Sequence, residues 1–137
     1  MSSSLQSANQ PSDSSKPDVL VVEDDATVNK LVCRCVQMAG FAVRSALTGT
    51  AALRAAEERA PAIVLLDLML PDTTGFDVCE AIKRNEKTRD AVVVMVTALD
   101  DDESRSRGLA CGAAEYLVKP FHPTQLIETV QRYAAGM

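Results

Sequence analysis

From Asp18 onward the sequence alternates between short, largely apolar runs and longer segments with helical patterning. The runs are Val19-Leu20-Val21-Val22, residues 41–46, Ile63-Val64-Leu65-Leu66, residues 91–96 and Glu115-Tyr116-Leu117-Val118. Residues 27–39, 50–60, 75–85, 101–110 and 123–133 follow them as helix patterns, the first halted at Gly40 and the second at Pro61. Strands that are apolar at nearly every position are covered on both faces, the condition of parallel strands joined by helices. Thr74 with Asp77 and Asp100 with Glu103 have the spacing of amino-terminal caps, and Pro123 suits the first position of the last helix. The expected fold is α/β: a doubly wound parallel sheet of five strands, with helices on both faces.

Composition narrows the class. At 137 residues the chain is about one domain long. Its 47% hydrophobic content suffices for a core, which excludes global disorder. The apolar stretches 62–66 and 91–96 fall far short of the roughly 18 residues a membrane span needs, so no membrane association is expected. A net charge of −5 argues against direct nucleic-acid binding, which calls for basic stripes, and suits a site that holds a cation. The amino terminus has neither the basic nor the apolar region of a secretory signal, so the expected location is cytoplasmic. Residues 1–17 hold seven serines and two prolines and are expected to form a disordered tail, with the folded domain at 18–137. Cys33 and Cys35 lie two apart on a helix and point in nearly opposite directions, so the four cysteines are expected as reduced thiols.

In an open parallel sheet, ligands bind beyond the carboxyl ends of the strands, where the strand order reverses. Glu23-Asp24-Asp25 follow the first run, Asp67 the third, Thr97 the fourth and Lys119-Pro120 the fifth. Two carboxylates about 4 Å apart repel by roughly 4 kcal/mol at an effective dielectric near 20. A divalent cation removes that repulsion, and hard oxygen donors with room for water suit Mg2+. A cation, an ammonium and a hydroxyl around one carboxylate can hold an anion of several oxygens. Phosphoryl fits, because its transfer depends on positioning and charge neutralisation. Asp67 would then be the nucleophile, forming an acyl phosphate. Taken singly, each residue has a plain structural role: Asp25 as a cap, Thr97 as a strand former, Lys119 as a solvated lysine. Their convergence on one edge is what points to a site. The run Asp100-Asp101-Asp102-Glu103 is expected to complement a helix dipole, and His122, the single histidine, to mark a helix start.

At these residues the chain resembles the receiver domains of two-component response regulators. The matching pieces are Val21-Val22-Glu23-Asp24-Asp25, Leu66-Asp67-Leu68-Met69-Leu70-Pro71 with Gly75, Val96-Thr97-Ala98, and Tyr116-Leu117-Val118-Lys119-Pro120-Phe121. The resemblance implies a flavodoxin-like strand order 2-1-3-4-5. It implies that Asp67 accepts phosphate from a sensor histidine kinase or phosphotransfer protein. Asp24, Asp67 and the Met69 backbone carbonyl would ligate Mg2+, with Glu23 acting through water. Lys119 would bind a phosphoryl oxygen and Thr97 would move to bind another. Tyr116 would turn inward with it, reshaping the face of the fourth helix, fifth strand and fifth helix for a downstream protein. The Lys119-Pro120 bond would be cis. Met69 and Leu99 occupy positions that tune hydrolysis; neither can bond an attacking water, so a long-lived phosphorylated state is expected.

The resemblance further implies a monomer or a phosphorylation-dependent dimer, and a switch that catalyses only its own phosphorylation and dephosphorylation. Residues 135–137 follow the last helix directly, so a stand-alone regulator like those of chemotaxis is expected, with a fragment of a longer regulator as the alternative. A haloacid-dehalogenase-type phosphatase needs an acid two residues after its nucleophile, where Met69 stands. A nucleotide-binding enzyme needs a glycine-rich loop after the first strand, which is lacking. The remaining rival is a phosphorylation-independent pseudo-receiver, a pure interaction module.

Overall fold

A computed structural model describes residues 17–136. The strands are β1 (Asp18–Val22), β2 (Ala42–Ala46), β3 (Ile63–Leu66), β4 (Val92–Thr97) and β5 (Glu115–Val118). They alternate with α1 (Ala26–Met38), α2 (Gly49–Glu58), α3 (Gly75–Arg84), α4 (Asp102–Ala110) and α5 (Pro123–Ala135). All pairings are parallel, in the order β2-β1-β3-β4-β5. The tail expected over residues 1–17 lies outside the described residues except for Pro17, whose carbonyl accepts the Ala42 N–H at 3.3 Å.

The period-two geometry of a strand splits each apolar run between two cores. Leu20, Val22, Val64, Leu66, Val93 and Met95 face α2, α3 and α4, packing against Ala52, Ala56, Phe76, Val78 and Ile82. Val19, Val21, Ile63, Leu65, Val94 and Val96 face α1 and α5, packing against Val32, Val36, Leu126 and Val130. Each such aliphatic side chain contributes about 1.5–3 kcal/mol relative to exposure, so burial on both faces decides the architecture.

The helix starts come from local chemistry. Asp25 accepts the N–H groups of Thr27 and Val28 at 2.9 and 3.1 Å, and Thr48 and Thr74 cap α2 and α3 through Ala51 and Asp77. At α4 the cap is Asp101, which accepts the Ser104 N–H at 2.9 Å. The expected Asp100 instead pairs with Arg105 at 3.0 Å. In a run of four acids, hydrogen-bond geometry rather than spacing selects the cap. Gly40, with φ of 97°, turns the chain out of α1 in a conformation that side chains resist.

One cross-link ties the β3–α3 loop to the amino end of α2. Asp72, exposed in the β3–α3 loop, accepts the Gly49 N–H at 2.8 Å, the Thr50 N–H at 2.9 Å and the Thr50 hydroxyl at 2.7 Å. These bonds, the Thr50 hydroxyl foremost, hold the Asp72 carboxyl down to about 2. A carboxyl depressed on folding stabilises the fold above its unfolded value, about 3.9, and that contribution disappears as pH falls through the folded value. Asp72→Asn is therefore expected to lower the urea midpoint slightly at neutral pH, with the two proteins converging as pH drops from about 4 towards about 2. Midpoints that stay parallel across that window would contradict the assignment.

Candidate functional site

Parallel register brings the strand ends level: Val22 stands beside Leu66, Leu66 beside Met95, and Thr97 beside Val118. The order reverses between β1 and β3, so the residues following those two strands flank the crevice where such folds bind ligands. Glu23 and Asp67 are those residues, and both are buried. The Asp67 N–H continues the ladder to the Val22 carbonyl at 3.0 Å, which ties the two acidic segments together.

Lys119 reaches across from the end of β5. Its ammonium donates to Asp67 Oδ2 at 2.8 Å and, in a short contact, to Glu23 Oε1. The Lys119 N–H bonds the Thr97 carbonyl at 2.8 Å, so β4 and β5 jointly aim its side chain. The second oxygen of Glu23 accepts the Asp25 N–H at 3.1 Å, and Asp67 Oδ1 accepts the Met69 N–H at 3.1 Å. Asp24 is exposed, yet one carboxylate oxygen each from Glu23, Asp24 and Asp67 lie within 4.8 Å of one another.

Electrostatics follow from the crowding. Burial pushes the Glu23 carboxyl upward against the opposing Lys119 bond, and the neighbouring Asp67 charge adds to the rise. Burial works to lower Lys119, but its bonds to Asp67 and Glu23 outweigh it and the net shift is upward, so the ammonium stays charged. One ammonium facing three carboxylates leaves an excess of negative charge, and the donors are all hard oxygens. That donor set fits Mg2+, with room for water in its shell.

The structure thus brings Glu23, Asp24, Asp67 and Lys119 together. Thr97 is buried at the same edge, its hydroxyl 3.4 Å from the Leu99 N–H. Met69, two residues after Asp67, is 58% exposed. Tyr116 is the second residue of β5, turned inward with its hydroxyl donating to the Leu99 carbonyl at 2.8 Å. Its ring rests against Gly108, where an added Cβ would stand 3.2 Å from the ring, and the Arg105 guanidinium covers it at 5.0 Å. The Lys119-Pro120 bond is cis.

Asn29 escaped the sequence reading. It is buried, and its amide donates to the Glu23 carbonyl at 3.0 Å and the Ala46 carbonyl at 3.3 Å, fixing the acidic turn against the end of β2. A signal existed: Asn29 shares the inward stripe of Val32 and Val36, where an amide must find partners.

Residues 19–131 match the sequence model of the response regulator receiver domain. The chain belongs to that family. The receiver domain is 39% identical over 113 residues to the phosphate regulon transcriptional regulatory protein PhoB of Escherichia coli, covering 82% of this chain and 49% of PhoB. It is 36% identical over 115 residues to the DNA-binding dual master transcriptional regulator RpaA of Synechocystis, covering 84% of this chain and 48% of RpaA. It thus spans about half the length of either relative. Among solved structures it resembles the chemotaxis protein CheY4 of Vibrio cholerae, with a TM-score of 0.82 and 31% identity over 86% of this chain and 98% of that one. Receiver domains belong to two-component systems and act as signalling switches rather than as enzymes in the ordinary sense.

Proposed function

We propose that Asp67 is the phospho-acceptor of a Mg2+-dependent switch. The observation that carries this is the Lys119 ammonium spanning Asp67 and Glu23, with Asp24 completing an oxygen set within 4.8 Å. Asp24, Asp67 and the Met69 backbone carbonyl would hold the ion. Glu23, held by the Lys119 ammonium and the Asp25 N–H, would act on the ion through water. When bound, the ion supplies charge neutralisation at the phosphoryl oxygens.

A carboxylate oxygen of Asp67 attacks the phosphorus of a phosphohistidine on a sensor kinase or phosphotransfer protein. The phosphorus–nitrogen bond breaks as the acyl phosphate forms, and the imidazole leaves with a proton. Lys119 receives one phosphoryl oxygen. Thr97 turns its hydroxyl from the Leu99 N–H to another. Thr97 then transmits the change through Tyr116, which already stands inward on the Leu99 carbonyl, to the face of α4, β5 and α5, where a downstream protein docks in the cytoplasm. Catalysis is confined to the domain's own phosphorylation and dephosphorylation. Met69 offers an attacking water only a weakly accepting thioether and Leu99 offers nothing, which favours slow hydrolysis. Among the described residues no helix is long and apolar enough to cross a membrane.

The test is intact mass after incubation with acetyl phosphate. With Mg2+ a single phosphoryl adduct is expected, and with a chelator none. No adduct in either sample would leave the pseudo-receiver: an interaction module with a vestigial site.

A further inference from the structure

The β3–α3 loop is pinned at its base, where Met69 and Thr74 face each other in an isolated antiparallel bridge and the Gly75 N–H bonds the Leu68 carbonyl at 2.9 Å. Its tip leans on α2. There Asp72 takes up the Gly49 and Thr50 N–H groups, first-turn donors that Thr48, already occupied with Ala51, does not serve. The approach is close: a Cβ at Gly49 would sit 2.2 Å from the Thr73 methyl, which would have to move. Two elements remote in sequence are thus fitted to each other at one point.

We infer that this clamp makes Asp72 a positioning residue for the Mg2+ site, holding the loop so that the Met69 peptide keeps one orientation. The inference rests on the metal reading above. Asp72 is exposed, and water could serve the same α2 donors, so the cross-link adds little stability. What it removes is freedom. Met69 sits in the single bridge at the base, three residues from the clamp, so rocking of a free tip twists the Met69 peptide about that bridge, and a held tip prevents it. Mg2+ tolerates little departure from octahedral geometry, so a ligand on a pivoting loop binds it less well. Groups that hydrogen-bond a metal's ligands typically alter its affinity 10–100-fold when removed, and Asp72, acting one step further out through the loop, belongs at the lower end.

Isothermal titration with Mg2+ alone, on the full chain, tests this. Asp72→Ala is expected to raise the Mg2+ dissociation constant about tenfold. Asp72→Asn should raise it less, because the amide oxygen keeps one acceptor. Thr48→Ala is the control: it removes the side-chain cap of α2 without touching the loop, so the urea midpoint should fall while Mg2+ affinity holds. A parent-like constant for Asp72→Ala would overturn the inference, as would an equal loss in Thr48→Ala, which would reduce the effect to helix stability. A parent that binds no Mg2+ would overturn the metal reading itself and the inference with it.

Discussion

Asp67→Asn is expected to take up no phosphoryl group from acetyl phosphate and Mg2+ under conditions that label the parent. Asparagine matches aspartate in shape, so the β3–α3 turn and the Met69 N–H bond to its side-chain oxygen are retained. What is lost is the nucleophile: a neutral amide does not form an acyl phosphate. The substitution also removes one of three carboxylates within 4.8 Å of one another, relieving repulsion of about 4 kcal/mol per close pair at an effective dielectric near 20. Lys119 would lose a partner but keep Glu23. The urea midpoint should therefore equal or exceed that of the parent, while the mass spectrum shows only unmodified chain. An adduct of parent size on the variant would move the acceptor elsewhere and sink the assignment.

Gly75→Ala should be the most damaging of the glycine-to-alanine substitutions. An added Cβ would lie 2.5 Å from the Asp67 carbonyl oxygen and 2.8 Å from the Leu68 Cα. Both are backbone atoms, so no side chain can swing aside. Overpacking of this kind costs about 1–3 kcal/mol, and a backbone clash belongs at the upper end. Gly75 is the first residue of α3, where the intrinsic helix advantage of alanine, about 1 kcal/mol in a helix interior, offsets little. A net loss of about 2–3 kcal/mol should lower the urea midpoint at unchanged m. Phosphorylation should slow as well, because the displaced segment carries Asp67, and misplacing a reacting group by about 1 Å can cost a hundredfold. A variant as stable as the parent would show that the loop can yield, and would remove this account of Gly75.

Most of the fold was legible because its signals are local or periodic. Ile63–Leu66 and Glu115–Val118 have the bounds their apolar runs announce. Helices α1 to α4 differ by one or two residues at their ends, where caps and fraying blur any pattern. The strand order came from family resemblance rather than from periodicity, since alternation alone dictates parallel pairing but not which strands are neighbours. The acidic residues and Lys119 were legible from their places after apolar runs, because the carboxyl edge of a parallel sheet collects whatever follows each strand.

What the amino-acid sequence determined by itself is the element order, the two-faced burial and the inventory of charged groups at one edge. Each of these depends on residues close together along the chain. Tertiary structure alone decided the pairings between distant segments: Lys119 with both Asp67 and Glu23, Asn29 with two carbonyls, Asp72 with the amino end of α2. An aspartate in a loop and an asparagine on a helix are compatible with solvent until packing brings a donor or acceptor within about 3 Å. Hydrogen bonds of that kind act only at contact, and contact between remote segments exists only once the sheet has closed its register.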